Sequence, residues 1–303
     1  MPEGDTIFRS ARALNLALQG KQVTAFETAY AQLASVHDQT PVVGRIVERV
    51  ESRGKWLLIH FTGDLILVTH MLMSGSWHIY RRGERWRRTR IHMRAVIATN
   101  DFEAVAFDVP VASFHTARTL ERNTSIPKLG PDLLQGSFSE DEAIKRLVLR
   151  GEEEVANVLL NQQVLAGIGN VFKSEICFSC GVSPFTRVSA LSSAQVECLM
   201  STARRLLAAN VSESAGPGIV TYSGGRRTTG AADPGARLWV YGRRGKQCRR
   251  CGTIILMRKQ GVGARSTYWC PQCQPLPLAA NDGGGGEVEG WSTPVRRTRI
   301  GCS

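Results

Sequence analysis

Cys248-Arg249-Arg250-Cys251 and, eighteen residues further on, Cys270-Pro271-Gln272-Cys273 are the most decisive stretch of the chain. Each Cys-x2-Cys pair can grip one tetrahedral metal from a tight turn, and the spacer suits a β-hairpin between the two grips. Four thiolates around one structural zinc ion is therefore the expected arrangement. Four thiolates leave no open position for water, so this zinc would hold a fold and do no chemistry. The hairpin carries Arg258, Lys259 and Arg265 around a turn bearing Gly261 and Gly263, a tip suited to the phosphates of a duplex. Cys177 and Cys180, with no second pair beside them, read as two idle thiols.

Working outward from the hairpin, charge is the next signal. Lys and Arg outnumber Asp and Glu 38 to 26 in 303 residues, a net charge of +12 that attracts polyanions. The surplus is uneven. From Gly235 to Asn281 there is no acidic residue against nine basic ones, and a second cluster runs Arg81, Arg82, Arg85, Arg87, Arg88, Arg90 and Arg94 against Glu84 alone. No apolar run approaches the roughly 18 residues of a membrane span, and Glu3 and Asp5 stand where a secretory signal would carry lysines. A soluble, cytoplasmic protein with no membrane partner is expected, and eight cysteines in this length fit a reducing compartment better than a disulfide scaffold.

The local patterns predict an α+β chain. Asp5 and Thr6 cap a helix striped by Ile7, Ala11, Leu14 and Leu18, with Gly20 placed to end it. Val42–Val50, Lys55–Phe61, Asp64–Met73, His92–Thr99 and Phe102–Asp108 read as strands. From about Leu129 the texture turns helical, with capping boxes at Ser139/Glu142 and Ser192/Gln195 and two further helices at Glu152–Leu165 and Val171–Cys180. The expected division is a β-sandwich domain over 1–128 with a leading helix, a helical domain over 129–236, the zinc hairpin over 237–275 and a disordered tail over 276–303. Ser212–Gly235, rich in Gly, Ser and Thr, reads as a loop.

Met1-Pro2-Glu3-Gly4 offers unusual chemistry. If Met1 is trimmed, Pro2 becomes a free secondary amine with an α-amino pKa of about 7.7 to 8.0. Its attack on a sugar C1′ gives an iminium that is cationic without any added proton. Glu3, which a neighbouring helix dipole would favour in its ionised form, could exchange protons with a leaving base or the ring oxygen. Pro and Glu are also ordinary residues at a helix start.

Taken together, Pro2-Glu3-Gly4, Ser52-Arg53-Gly54-Lys55, His70-Met71-Leu72-Met73-Ser74-Gly75-Ser76-Trp77, Leu165-Ala166-Gly167-Ile168-Gly169-Asn170 and the terminal four cysteines fall in a specific order. Over about residues 2–274 the chain resembles the formamidopyrimidine-DNA glycosylase and endonuclease VIII family, and the opening Pro-Glu-Gly is most like the endonuclease VIII branch. The resemblance implies a β-sandwich followed by a helix-two-turn-helix domain with a four-cysteine zinc β-hairpin. It implies a bifunctional DNA glycosylase and abasic-site lyase that acts as a monomer on damaged DNA, with oxidised pyrimidines preferred and β,δ-elimination through an N-terminal proline Schiff base. Pro2 matches the nucleophile, Glu3 the acid-base carboxylate and Lys55 a phosphate-contacting lysine on a strand. Asn170 and Arg265 match the clamp on the flanking phosphates, Leu72 and Met73 the loop that fills the hole left by the flipped nucleotide, and Cys248, Cys251, Cys270 and Cys273 the zinc ligands. Asp108 to Phe114 departs from the family's Arg-Phe-Gly loop, which implies looser dependence on the opposite base. Two other readings stay open, an 8-oxoguanine or formamidopyrimidine glycosylase with the same machinery and a non-catalytic zinc-dependent DNA-binding protein. The loop from Ser212, with Tyr222 and Arg226, is a candidate cover for the flipped base.

Overall fold

A computed structural model describes residues 2–122, 128–212, 219–222 and 237–276. The expectations for Arg226, most of the 212–235 loop and nearly all of the tail lie outside the described residues.

The chain opens with helix α1, Gly4–Leu18, whose stripe of Ile7, Ala11, Leu14 and Leu18 is buried as the 3.6 periodicity requires. Two four-stranded antiparallel sheets follow. One has the order β1-β6-β7-β5, from Ala25–Thr28, Met93–Ala98, Phe102–Phe107 and Ser76–Arg81. The other has the order β2-β3-β4-β8, from Val47–Arg53, Trp56–Phe61, Leu65–His70 and Val111–His115. A short helix, α2 (Ala31–Gln39), lies between β1 and β2 in sequence. Side chains alternate across the pleat, and this sorts each strand. Leu57, Ile59 and Phe61 of β3 enter a core shared with Trp77, Ile97 and Ala104 of the facing sheet and with the α1 stripe. Leu58, Ile66 and Val68 face the other way and are covered by Leu120 of α3, Ala117–Arg122. Both faces being covered, β3 and β4 are almost continuously apolar.

Four helices build the second half: α4 (Glu140–Val148), α5 (Val155–Leu160), α6 (Asn170–Ser179) and α7 (Ser193–Val211), around a separate cluster that includes Leu147, Leu159, Phe172, Leu199 and Leu207. Ser139 accepts from the Glu142 amide as the α4 cap, and the Ser192/Gln195 box closes in both directions. Strands β9 (Leu256–Gln260) and β10 (Arg265–Trp269) form the expected hairpin, packed on Phe178 and Val240.

Several expectations need correction. Strands β1, β5 and β8 and helix α2 are additions to the sequence reading. Strands β1 and β8 are short, β5 alternates apolar with polar residues, and α2 has no side-chain cap. The stretch read as an opposite-base loop is mostly β8, which pairs along β4 from His70↔Val111 to Ile66↔His115. Helix α5 stops at Leu160, five residues early, because Gln162 donates to the Leu160 and Ile168 carbonyls and accepts from the Gly167 amide. Its side chain thereby replaces the helical ladder with a turn. Lys55 sits in the two-residue β2–β3 turn rather than on a strand, beside Gly54 at φ +57°. Cys177 is buried, and burial pushes its thiol up to about 12. Cys180 is not idle but disulfide-bonded to Cys198, two positions brought together only where the end of α6 meets α7.

Candidate active site

The site grows from a seam between the chain start and the entry to α6. The Gly4 amide donates to the Gly167 carbonyl at 2.9 Å. No side chain fits between these backbones: a Cβ at Gly4 would lie 2.6 Å from Gly167 Cα, and one at Gly169 would lie 2.2 Å from Glu3 Cδ. Gly4, Gly167 and Gly169 thus let residue 3 reach the start of a helix far along the chain.

At that start Glu3 is fully buried. Its Oε1 accepts from the Val171 amide at 2.7 Å and its Oε2 from the Phe172 amide at 3.2 Å, two of the amides a helix N-terminus leaves unpaired. Burial is the larger influence, only partly offset by those amides and by Lys55, and it pushes the carboxyl up to about 7. The helix-start amides do favour the ionised form, in the direction expected from sequence, but desolvation outweighs them. The group can give or take a proton near neutrality.

Bordered by Pro2, the residue before Glu3, lies a cavity of about 310 Å³. Pro2, Lys55, Leu72, Met73, Asn170 and Arg265, named from sequence as far-separated motifs, all border it, together with His70, Leu160 and Gln162. Lys55 is presented by its turn, which Asp132 holds by accepting from the Gly54 amide at 2.7 Å. Burial lowers the Lys55 ammonium from its ordinary range, Glu3 opposes that and Arg265 adds to it. Leu72 and Met73 are 48 % and 64 % exposed among the described residues, large apolar side chains standing at the rim. Leu72 also holds φ +46°, a conformation that bulky residues rarely adopt. Exposure and backbone strain together mark a loop shaped for something outside the fold. Asn170 opens α6 and Arg265 opens β10, the strand packed against that helix.

Three residues that sequence reasoning missed belong here. His70, at the end of β4, accepts from the Leu72 amide at Nδ1, and burial, with Lys55 adding to it, lowers it from its ordinary value. Gln162 shapes the turn that aims Asn170. Lys173, one turn after Asn170 on α6, is fully buried. Its Nζ and Asn170 Oδ1 are the buried side-chain polar atoms without a hydrogen-bond partner among the described residues. Burial lowers the Lys173 ammonium to about 8. Buried lysines have no single-sequence signature, and only the α6 periodicity could have placed Lys173 near Asn170. Tyr222 does not border the cavity: it packs edge-on against Trp239, with Arg249 stacked 4.0 Å from its ring.

The four hairpin cysteines bring their sulfurs within 4.8 Å of one another. Cys248 and Cys273 are 3.9 Å apart, and Cys251 and Cys270 3.4 Å. Zinc–sulfur bonds of about 2.3 Å in a tetrahedron put sulfurs nearly 3.8 Å apart, so the donor set fits one zinc ion. The amides of Arg250 and Cys273 point at Cys248 and Cys270 Sγ, which would orient the thiolates.

Comparison with known proteins agrees with this geometry. Residues 1–119 match the formamidopyrimidine-DNA glycosylase N-terminal domain, 129–221 its H2TH domain, and 245–276 the zinc finger found in FPG and IleRS. The chain is 38 % identical over 280 residues to a probable endonuclease 8 2 of Streptomyces coelicolor, covering 91 % of this chain and 95 % of that one. It is 36 % identical to a DNA-(apurinic or apyrimidinic site) lyase of Mycolicibacterium smegmatis, over 90 % of this chain and 99 % of the relative. In fold it is similar to the Lactococcus lactis Fpg solved with DNA containing an abasic site, with a TM-score of 0.73 at 21 % identity over 90 % of this chain and all of the other.

Proposed function

The chain belongs to the formamidopyrimidine-DNA glycosylase and endonuclease VIII family, on the endonuclease VIII side, and is a DNA glycosylase and abasic-site lyase of base-excision repair; we propose that it excises oxidised pyrimidines through a Schiff base at Pro2. The observation that carries this reading is the pairing of Pro2, at the cavity edge, with Glu3 behind it, buried and poised near neutrality.

With Met1 removed, the Pro2 nitrogen attacks C1′ of the flipped nucleotide while the bond from C1′ to the base breaks. Glu3 supplies the proton that the ring oxygen or the departing base needs. Loss of the Pro2 N–H proton and opening of the C1′–O4′ bond, with O4′ protonated, give the iminium, which withdraws electrons from C2′; the C2′ proton is then lost as the 3′ phosphate leaves. A second elimination releases the 5′ phosphate. Lys55, Asn170 and Arg265, spaced around the cavity, suit phosphates on either side of the extruded sugar, and Leu72 and Met73 suit the vacated stack. Zinc, held by Cys248, Cys251, Cys270 and Cys273, would fix the hairpin bearing Arg265 and add no reacting group. One chain carries every group around the cavity, which supports action as a monomer, on DNA in the bacterial cytoplasm. The separate apolar clusters favour division near 128/129 and 236/237, with the hairpin ending near 275.

The test is single-turnover excision from duplexes carrying thymine glycol, dihydrouracil or 8-oxoguanine. Pyrimidine lesions should be removed at least about tenfold faster, one decade being only about 1.4 kcal/mol of transition-state preference. Faster removal of 8-oxoguanine would reverse the lesion assignment.

A further inference from the structure

The cavity uses only part of the basic surplus. The cluster from Arg81 to Arg94 lies outside it, on an arch that leaves β5 and returns as β6. This arch is built, not loose. The Trp86 indole donates to Glu103 Oε2 at 3.0 Å and packs edge-on against Phe107, while the Tyr80 hydroxyl accepts from the Arg87 amide at 3.2 Å. Its arginines divide into two sets. Arg82 pairs with Glu103, Arg88 with Asp108 and Arg90 with Glu27, so these are neutralised within the fold. Arg85 and Arg87, flanking the anchored Trp86, are exposed, and neither guanidinium forms an ion pair or hydrogen bond among the described residues. Two cations on an anchored backbone, with no ion pair of their own among the described residues, form a surface for an anion, and contact costs side-chain but little backbone entropy.

Asp108 fixes where that surface lies. Its carboxylate takes Arg88 at 2.8 Å and His92 at 2.9 Å, while its carbonyl accepts from Ser74 Oγ at 3.4 Å, next to exposed Met73. Through Asp108 the arch is therefore joined to the rim loop that borders the cavity, while none of its arginines lines that cavity. A duplex that sends one nucleotide into the cavity and receives Leu72 or Met73 in its stack carries its intact strand beyond that rim.

We propose that Arg85 and Arg87 form a second DNA contact, to the sugar-phosphate backbone of the strand opposite the lesion. The proposal rests on the reading of the cavity as the lesion site, and it assigns duplex preference to a surface distinct from the phosphate clamp. Such contacts hold the complementary strand without reading its bases, as phosphate contacts do generally.

The test measures binding of the full-length zinc-loaded protein to DNA with a tetrahydrofuran abasic analogue, which has neither a base to lose nor an aldehyde to trap. Duplex and single-stranded forms are titrated against salt. In Arg85→Gln/Arg87→Gln, duplex affinity should fall roughly tenfold near 0.1 M salt. The slope of log K against log salt should drop by about one to two, as for one or two lost phosphate contacts. Single-strand affinity should stay unchanged. An equal loss on both substrates would place the arginines on the lesion strand, and no loss on either would assign them to a partner other than DNA; each result overturns the proposal. An unchanged melting temperature identifies a folded variant, and Arg85→Lys/Arg87→Lys should restore the slope. Because the analogue cannot react, the outcome is independent of whether Pro2 is the nucleophile.

Discussion

Two buried carboxylates meet α6, and their surroundings could hardly differ more. Glu175, within the helix, accepts from the Thr221 hydroxyl and from the amides of Trp239, Val240 and Tyr241, pinning residues 219–222 and 237–241 to one helix. Glu3, before the helix, accepts from two amides and lies next to Pro2, which borders a cavity. A carboxylate saturated by donors is a structural fastener, because its charge is fully met inside the protein. One that burial drives toward neutrality, with too few donors to hold its charge, is suited to moving protons. The same residue type thus serves assembly in one region and chemistry in another, and the donor count marks the difference.

The sharpest way to break this contrast is Glu3→Gln. Base excision should fall by roughly a hundredfold to ten-thousandfold, as for loss of a general acid. Stability should move the other way. With its folded pKa raised from 4.5 to about 7, Glu3 binds its proton more tightly folded than unfolded. Its contribution is therefore fully present below 4.5 and lost as pH rises through 7, a swing of about 3 kcal/mol. Melting curves should show the Gln variant matching wild type near pH 4.5 and exceeding it at pH 8. Lower stability at pH 8 would make Glu3 a fastener as well.

Glu175→Ala should do the reverse. Four donors lose their acceptor, and a loss of about 3–5 kcal/mol is expected from stripping a buried network of its charged partner. The variant should melt at a clearly lower temperature, and below that melting its excision should survive better than that of Glu3→Gln.

The contrast also shows what sequence could reveal. The zinc hairpin and the helix starts at Ser139 and Ser192 were legible because their determinants lie within a few residues of one another. The Glu3 seam joins positions 3 and 171, and no local pattern predicts that pairing. The early end of α5 was hidden because Gln162, an ordinary helix former, uses its side chain against the helix. Strands β5 and β8 were hidden by polar and aromatic residues such as His78 and Ser113 that break up the apolar pattern. Lys173 was invisible because burial of a lysine is decided by packing between α6 and the hairpin, not by its neighbours in the chain.

Smaller effects sharpen the picture. Gly169→Ala places a methyl 2.2 Å from Glu3 Cδ and must displace it. Excision should fall about a hundredfold, the cost of roughly 1 Å of misplacement at a reacting group, while binding to the tetrahydrofuran duplex should change far less. Lys173→Met removes a buried amine with no partner among the described residues and should raise stability at pH 7 by about 1 kcal/mol, since an unpaired polar group costs free energy to bury. A lower melting temperature would mean that the amine has a partner in solution.

One measurement goes to the centre. Borohydride reduction of the enzyme with an abasic-site oligomer, followed by mass spectrometry of the digested adduct, should place the deoxyribose on the nitrogen of Pro2 at a chain start that has lost Met1. Pro2→Ala, whose primary amine is a different nucleophile, should trap far more slowly. Attachment at Lys55 or another internal lysine, or no adduct in the wild type, would contradict the account.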